Sequence, residues 1–284
     1  MAEGFAYVTG GASGIGREVV RMLVRNNIKV FITDRNLEGA QELVDELNKG
    51  KDKDSPVARC AYVDVADWNS QANAFSQAVA DFGRIDYVYP IAGIGERRWI
   101  PIDPPASGFE APDLTVLNVD LTGVLYTVAL AVQQFRRQEP GKYGFRGKIG
   151  CVASVCGIYC VPTLPIYTAS KHAVTGLVQG YGRYLPEEKI TCNAVCPNVV
   201  RTNITTGAFY DNLDKEKLLT PIHGVVDVFE NLLGPADTSG ECFEVGPNYD
   251  TQGAVPRKLA EPLDRETDKV LDALYQRARV HHQH

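Results

Sequence analysis

Short apolar runs rich in β-formers alternate with helix-length segments through most of this chain, and that alternation leaves few folds open to it. FAYVT (5–9) predicts a first strand, and the residues after Gly14 a first helix. KVFIT (29–33) predicts a second strand ending at Asp34. The following segment has apolar residues at Leu37, Ala40, Leu43, Val44 and Leu47, a helical spacing closed by Gly50. ARCAYVDV (58–65), IDYVYPIAG (85–93), KIGCVASV (148–155), ITCNAVC (190–196) and ECFEV (241–245) predict five more strands. Helices are expected over WNSQANAFSQAVADFG, from about Asp113 to Arg137, and from Tyr167 to Leu185. Strands that alternate with helices imply an α/β domain with a doubly wound, parallel, seven-stranded sheet and helices on both faces. The near-continuous apolarity of several strands fits burial on both sides.

This organisation assigns residues 1–250 to one domain. Within it, 203–235 is less regular and is a candidate mobile lid. Residues 251–284 form an extension, in which KVLDALYQRARV (269–280) reads as a short amphipathic helix. That helix is expected to pack on the domain or on a neighbouring subunit rather than on a membrane surface. A net charge of −6 argues against a nucleic-acid footprint. No stretch approaches the roughly 20 apolar residues of a membrane span, and the amino terminus lacks the basic and apolar regions of a secretory signal. Seven cysteines without a CxxC pair read as reduced, mostly buried thiols of a cytoplasmic protein. The terminal His281, His282 and His284 read as a disordered end, and no metal site is expected.

TGGASGIG (9–16) lies between the first strand and the first helix, where doubly wound folds bind ligands. Gly10, Gly14 and Gly16 permit a tight turn and remove side chains that would obstruct a pyrophosphate. The helix amino terminus adds N–H donors and a positive dipole end, with Ser13 and Ile15 in the same turn. Asp34 closes the second strand, where a carboxylate accepts from adenosine ribose hydroxyls and repels a 2′-phosphate. NAD is therefore expected over NADP, although a guanidinium at Arg35 leaves the NADP reading open. Asp64 faces the same edge, either to bond the adenine amino group or to cap the next helix.

Tyr167 and Lys171 stand four residues apart and share a helix face, with Ser154 at the end of the fifth strand. Oxidising an alcohol needs a base for the hydroxyl proton while hydride leaves for nicotinamide. A free tyrosine, with a pKa near 10, is a poor base at neutral pH. A nearby ammonium and a nicotinamide cation both favour the phenolate, and the shift needed takes about 3–4 kcal/mol. Ser154 can hydrogen-bond the substrate oxygen as charge develops on it.

Together these features resemble the short-chain dehydrogenase/reductase family from about residue 4 to 248. TGGASGIG, Asp34, Asp64-Val65, Ala92-Gly93, Ser154, Tyr167, Lys171 and PNVVRT (197–202) fall in that family's order and spacing. The resemblance implies a single-domain Rossmann fold in a homodimer or homotetramer. It further implies that Ser154 positions substrate and Tyr167 is the acid/base. Lys171 binds the nicotinamide ribose and lowers the Tyr167 pKa, while Val65, Ala92, Gly93, Pro197, Val200 and Thr202 line the cofactor. GECFEVG also resembles NAD-linked secondary-alcohol members of the 15-hydroxyprostaglandin dehydrogenase type.

The chain departs from that pattern at three places. Pro90-Ile91 replaces an Asn-Asn pair, so the asparagine that braces the sheet is missing. Asp120 holds the position of the family's catalytic asparagine, while Asn118 points elsewhere on the helix. The Asp120 charge acts to raise the Lys171 and Tyr167 pKa values. Asn198 replaces a glycine. Substrate walls are expected from 94–99, 155–160 and the lid after Thr202, with Val155, Ile158, Tyr159 and Val161 making an apolar pocket. Glu96, Arg97, Arg98 and Trp99 read as a solvated loop more readily than as a polar subsite. The expected activity is NAD-dependent interconversion of a secondary alcohol and a ketone on a mostly apolar small molecule. The alternatives are NADPH-dependent carbonyl reduction and a non-redox cyclase or scaffold.

Overall fold

The computed structural model describes residues 4–52, 54–103, 105–205 and 207–281. One eight-stranded sheet runs through them in the order β3-β2-β1-β4-β5-β6-β7-β8. The strands are β1 (Gly4–Thr9), β2 (Ile28–Asp34), β3 (Ala58–Tyr62), β4 (Tyr87–Pro90), β5 (Gly147–Val152), β6 (Ile190–Pro197), β7 (Cys242–Val245) and β8 (Val255–Pro256). The first seven are parallel, and β8 alone pairs antiparallel, on β7. The order reverses between β1 and β4. Their carboxyl ends open the crevice that this topology uses for ligands. The seven expected strands are present. The eighth is two residues long, too short to leave a period in the sequence.

Helices α1 (Gly14–Arg25), α2 (Leu37–Asn48), α3 (Trp68–Phe82), α4 (Thr115–Arg136) and α5 (Pro165–Tyr184) make the crossovers. On one face, Tyr7 lies against Phe75 at 4.8 Å and packs with Phe31, Phe135 and Val178 from α3, α4, α5 and the strands. On the other, Val19, Leu23 and Leu43 from α1 and α2 meet Tyr89 and Phe229, whose rings are 5.4 Å apart.

Three expectations change here. Helix α4 is long and apolar enough to cross a membrane by length and composition, with a mean hydropathy of 1.6. Its Val124, Val128, Ala131, Val132 and Phe135 are buried under the sheet, so its apolarity is that of a core helix. The irregular segment 203–235 contains α6 (Gly207–Lys215) and α7 (Ile222–Asn231). Val225, Val226, Val228 and Phe229 of α7 belong to the core, whereas α6 buries only Tyr210. After α8 (Tyr249–Gln252), the extension forms α9 (Arg265–Ala278), close to the amphipathic helix expected. It does not bury its apolar stripe on the domain: Val270, Leu271, Leu274 and Tyr275 are all exposed. It is held at Glu187 instead, by Tyr275 and Arg279, each at 2.5 Å. His282 and His284 lie outside the described residues.

Candidate active site

The glycine turn is closed by direct backbone contact. Gly10 has φ +69°, and a Cβ there would lie 2.7 Å from the Ala92 Cα. A Cβ on Gly16 would lie 2.1 Å from the Gly10 carbonyl oxygen. Ser13 caps α1 with no side-chain bond to the helix, so the first turn, with Ile15, keeps its amide donors directed at the crevice. Asp34 faces this turn and stiffens it, accepting the Ala12 N–H at 3.0 Å and the Asn36 N–H at 2.9 Å. Arg35 is exposed. Arg17, not singled out by sequence, braces the turn from the other side through the Ala12 carbonyl at 2.9 Å.

Asp64 lies two residues beyond the end of β3, in a loop, and accepts the Ala66 N–H at 3.0 Å. The alternative that it caps α3 does not hold, because Asp67 does so through the Ser70 N–H at 2.7 Å. Val65 is buried, its carbonyl fixed by the buried Gln71 amide at 2.6 Å. The bracing missing with Pro90 comes from Thr9, whose buried hydroxyl accepts from the N–H groups of Ile91 and Ala92 at 3.1 and 3.3 Å. Across the crevice, Pro197 ends β6 and Val200 is buried. The Thr202 methyl lies 3.1 Å from where a Gly14 Cβ would be. At the far end, a Cβ on Gly93 would stand 3.2 Å from Asp120 and 3.4 Å from Lys171. A cleft kept clear by glycines, with amides at one end and an acidic edge beside them, fits an adenine dinucleotide.

Ser154, Tyr167, Lys171 and Asp120 converge below Gly93. Ser154 starts a 3-10 turn and accepts the Cys156 N–H at 3.1 Å. One turn of α5 separates Tyr167 from Lys171, whose ammonium lies 5.2 Å from the Tyr167 ring centre. A π-helical turn, Asn118–Thr122, interrupts α4 and delivers Asp120 inward, a local distortion common at functional sites. Asp120 is fully buried, accepts the Ile94 N–H at 2.8 Å, and meets the Lys171 ammonium at 3.0 Å. Asn118 is exposed, as expected.

Burial pushes the Tyr167 phenol above its ordinary value; Lys171 and the Ser154 hydroxyl pull it down, and Asp120 pushes it up again. Burial lowers the Lys171 amine, but Asp120, Tyr167 and Cys196 together outweigh this and the net direction is up. The cluster thus holds a protonated phenol, a hydroxyl and an ammonium matched to a carboxylate. It can give a proton to an oxygen bound between Ser154 and Tyr167, or take one back at higher pH.

Glu96 has a place that sequence did not reveal. Its carboxylate accepts the N–H of Tyr167 at 2.7 Å and of Ile166 at 3.4 Å, so it closes the amino end of α5. The helix's own cap residue is Leu164, which has no polar group for that purpose. Arg97 pairs with Asp113 at 3.2 Å, pinching the loop before α4. Of the expected pocket residues, Ile158 packs into the core. Tyr159 turns outward and donates to Glu244 at 3.1 Å, with Arg257 beside both. Val155 and Val161 are partly exposed. Tyr210 of α6 meets the Thr202 hydroxyl at 3.2 Å, tying the exposed helix to the cofactor side of the cleft.

Comparison with known proteins agrees with this architecture. The family model for short chain dehydrogenases matches residues 4–212. A short-chain dehydrogenase/reductase, prx7, of Penicillium rubens is 29% identical over 91% of this chain and 95% of its own length. The 3beta-hydroxysteroid dehydrogenase 2 of Eggerthella lenta is 32% identical, covering 73% of this chain and 75% of its own. A diacetyl reductase of Staphylococcus aureus is 34% identical, covering 69% and 71%. Among solved structures, a 3-ketoacyl-(acyl-carrier-protein) reductase from Brucella melitensis complexed with NADH superposes with a TM-score of 0.72. It is 21% identical and covers 87% of this chain and 98% of that one.

Proposed function

The chain belongs to the short chain dehydrogenase family and is an oxidoreductase acting on CH–OH groups, and from that premise we propose that it interconverts a secondary alcohol and a ketone on a mostly apolar small molecule, with NAD as the preferred cofactor. The observation that carries this reading is the convergence of Ser154, Tyr167 and the Lys171–Asp120 pair beneath the glycine-lined cleft. When bound, the nicotinamide supplies or accepts the hydride. Ser154 and Tyr167 hold the substrate oxygen from one side, and Tyr167 moves the proton. Lys171 holds positive charge beneath Tyr167 and stands beside Gly93 for the nicotinamide ribose.

Asp34 supports the choice of NAD. Its carboxylate faces the glycine turn, where a 2′-phosphate would meet a like charge. Arg35 lies beyond it in solvent. Val155, the loop at Ile94 and the exposed Ile204 offer apolar walls for the substrate. The relatives whose names carry a hydroxysteroid and diacetyl support alcohol and ketone substrates, small or large. Residues up to α6 form the lid in this proposal. A homodimer or homotetramer would cover the exposed Leu125 and Trp68, and the stripe on α9. The seven free thiols suit the reducing cytoplasm.

The experiment is a screen of alcohols and ketones against both cofactors while nicotinamide absorbance is followed. Turnover of a secondary alcohol or its ketone with NAD or NADH supports the proposal. A strong preference for NADPH would move the assignment to carbonyl reduction with an Arg35 clamp. Cofactor binding without turnover of any compound would favour a non-redox role.

A further inference from the structure

Lys171 is a buried cation whose charge is already matched. Its ammonium is 3.0 Å from Asp120, and the two residues are 3% and 0% exposed. The Asp120 carboxylate is fixed at both ends, by Lys171 on one oxygen and by the Ile94 N–H on the other. The π turn of α4 sets this placement in the backbone, so it does not depend on a flexible side chain. In such a site the attraction between charges is little screened. An unpaired Lys171 would draw Tyr167 toward phenolate, whereas a paired one acts on Tyr167 as a dipole.

We propose that Asp120 sets the pH range in which the site oxidises alcohols: by pairing with Lys171, it weakens the pull of that ammonium on the buried Tyr167 and moves phenolate-dependent oxidation to more alkaline pH. This rests on the oxidoreductase reading above and adds its pH dependence. In the reductive step the carbonyl carbon gains hydride from the reduced nicotinamide, the C=O π bond opens, and the oxygen takes the Tyr167 proton. The products are an alcohol, the oxidised nicotinamide and a Tyr167 phenolate, which solvent reprotonates. The reverse step needs the phenolate first, and so gains rate as pH rises toward the Tyr167 ionisation.

The other groups around the pair do not undo this effect. Cys156, on the turn after Ser154, is pushed up by burial and stays a thiol. Cys151 of β5 and Cys196 of β6 are raised by hydrogen bonds to Cys192 and Cys242, respectively, and by burial. Ser154 only donates a hydrogen bond toward Tyr167. Glu96 adds a further negative charge, bonded to the Tyr167 backbone N–H. Asp120 is thus the one carboxylate that touches Lys171 among the described residues.

Two measurements test the proposal. The first is a pH titration of phenolate absorbance in the cofactor-free protein, with Tyr167→Phe subtracted. Tyr167 is expected to ionise at or above the ordinary tyrosine value of about 10; ionisation below about pH 8 overturns the proposal without reference to any substrate. The second compares both directions in Asp120→Asn, which preserves the shape and the bond from Ile94. The pH inflection of alcohol oxidation should move down by about one unit, whatever the variant does to the plateau rates of the two directions. An unmoved oxidation inflection in a folded variant overturns it as well. A failure of the oxidoreductase reading is different in kind, since hydride would then pass at no pH in either protein.

Discussion

The Glu96 carboxylate reaches across the crevice from the loop after β4 to accept the backbone N–H of Tyr167 at 2.7 Å. One side chain thereby fixes a substrate-side loop to the helix that carries the candidate acid/base. It also places negative charge at the positive end of α5. Glu96→Ala should cost about 1 kcal/mol, as loss of a cap does, and lower the melting temperature by about 2–4 °C. Turnover should fall several-fold while cofactor affinity holds, because the glycine turn is remote from this contact. Calorimetry with steady-state kinetics checks both. A melting point and kcat that match the wild type would remove Glu96 from the site.

Gly16 and Gly180 make a matched pair of tests. A Cβ on Gly16 would strike the Gly10 carbonyl at 2.1 Å, and neither backbone can withdraw without opening the turn. Gly16→Ala should destabilise by about 3 kcal/mol and abolish dinucleotide binding. Gly180 is in α5 with open space where its Cβ would stand. Gly180→Ala should stabilise by about 0.5–1 kcal/mol. Denaturant melts and cofactor titration distinguish them, and equal effects at the two positions would contradict the packing described.

Asp34 should govern cofactor choice. Asp34→Ser removes the charge that a 2′-phosphate would meet and keeps an acceptor for the Ala12 N–H. The ratio of kcat/KM with NADP to that with NAD should rise about tenfold or more, a change of about 1.4 kcal/mol. A constant ratio would mean that the adenosine end is read by other groups.

Lys148 gives a pH-dependent stability remote from the crevice. It is buried on β5, donates to the Leu232 carbonyl at 3.4 Å and to that of Ala236, and burial lowers its pKa to about 8. The native state therefore sheds this proton before the unfolded chain does. Stability relative to Lys148→Met should be flat below about pH 8 and rise from there to about 10.5, where the unfolded lysine also titrates. The rise should not exceed about 3.4 kcal/mol. Urea melts across that range check the sign; a fall would contradict the burial.

The sheet was legible because its central strands β1, β2, β4, β5 and β6 are largely buried on both faces and read as near-continuous apolar runs. The edge strand Val255–Pro256 has no such pattern, being two residues on an exposed margin. Helix α7 was hidden for a different reason: its core residues are clear only once β4 supplies Tyr89 against Phe229. The glycine turn, Asp34 and the Tyr167–Lys171 spacing are local signals, and their places follow from strand ends and helix pitch. Glu96 capping α5, Thr9 replacing a lost asparagine, and Asp67 rather than Asp64 capping α3 depend on which neighbours the fold delivers. Sequence could name Asp120 as a departure, but its direct contact with Lys171 required the π turn.

The most direct test of hydride transfer assisted by Tyr167 uses reduced cofactor deuterated at its transferable position and a ketone that the screen identifies. Wild type should place one deuterium on the carbinol carbon of the product. Tyr167→Phe should bind cofactor with similar affinity and slow that transfer at least about 100-fold, the lower range for loss of a general acid. Product without deuterium, or an unchanged rate in Tyr167→Phe, would contradict the assignment.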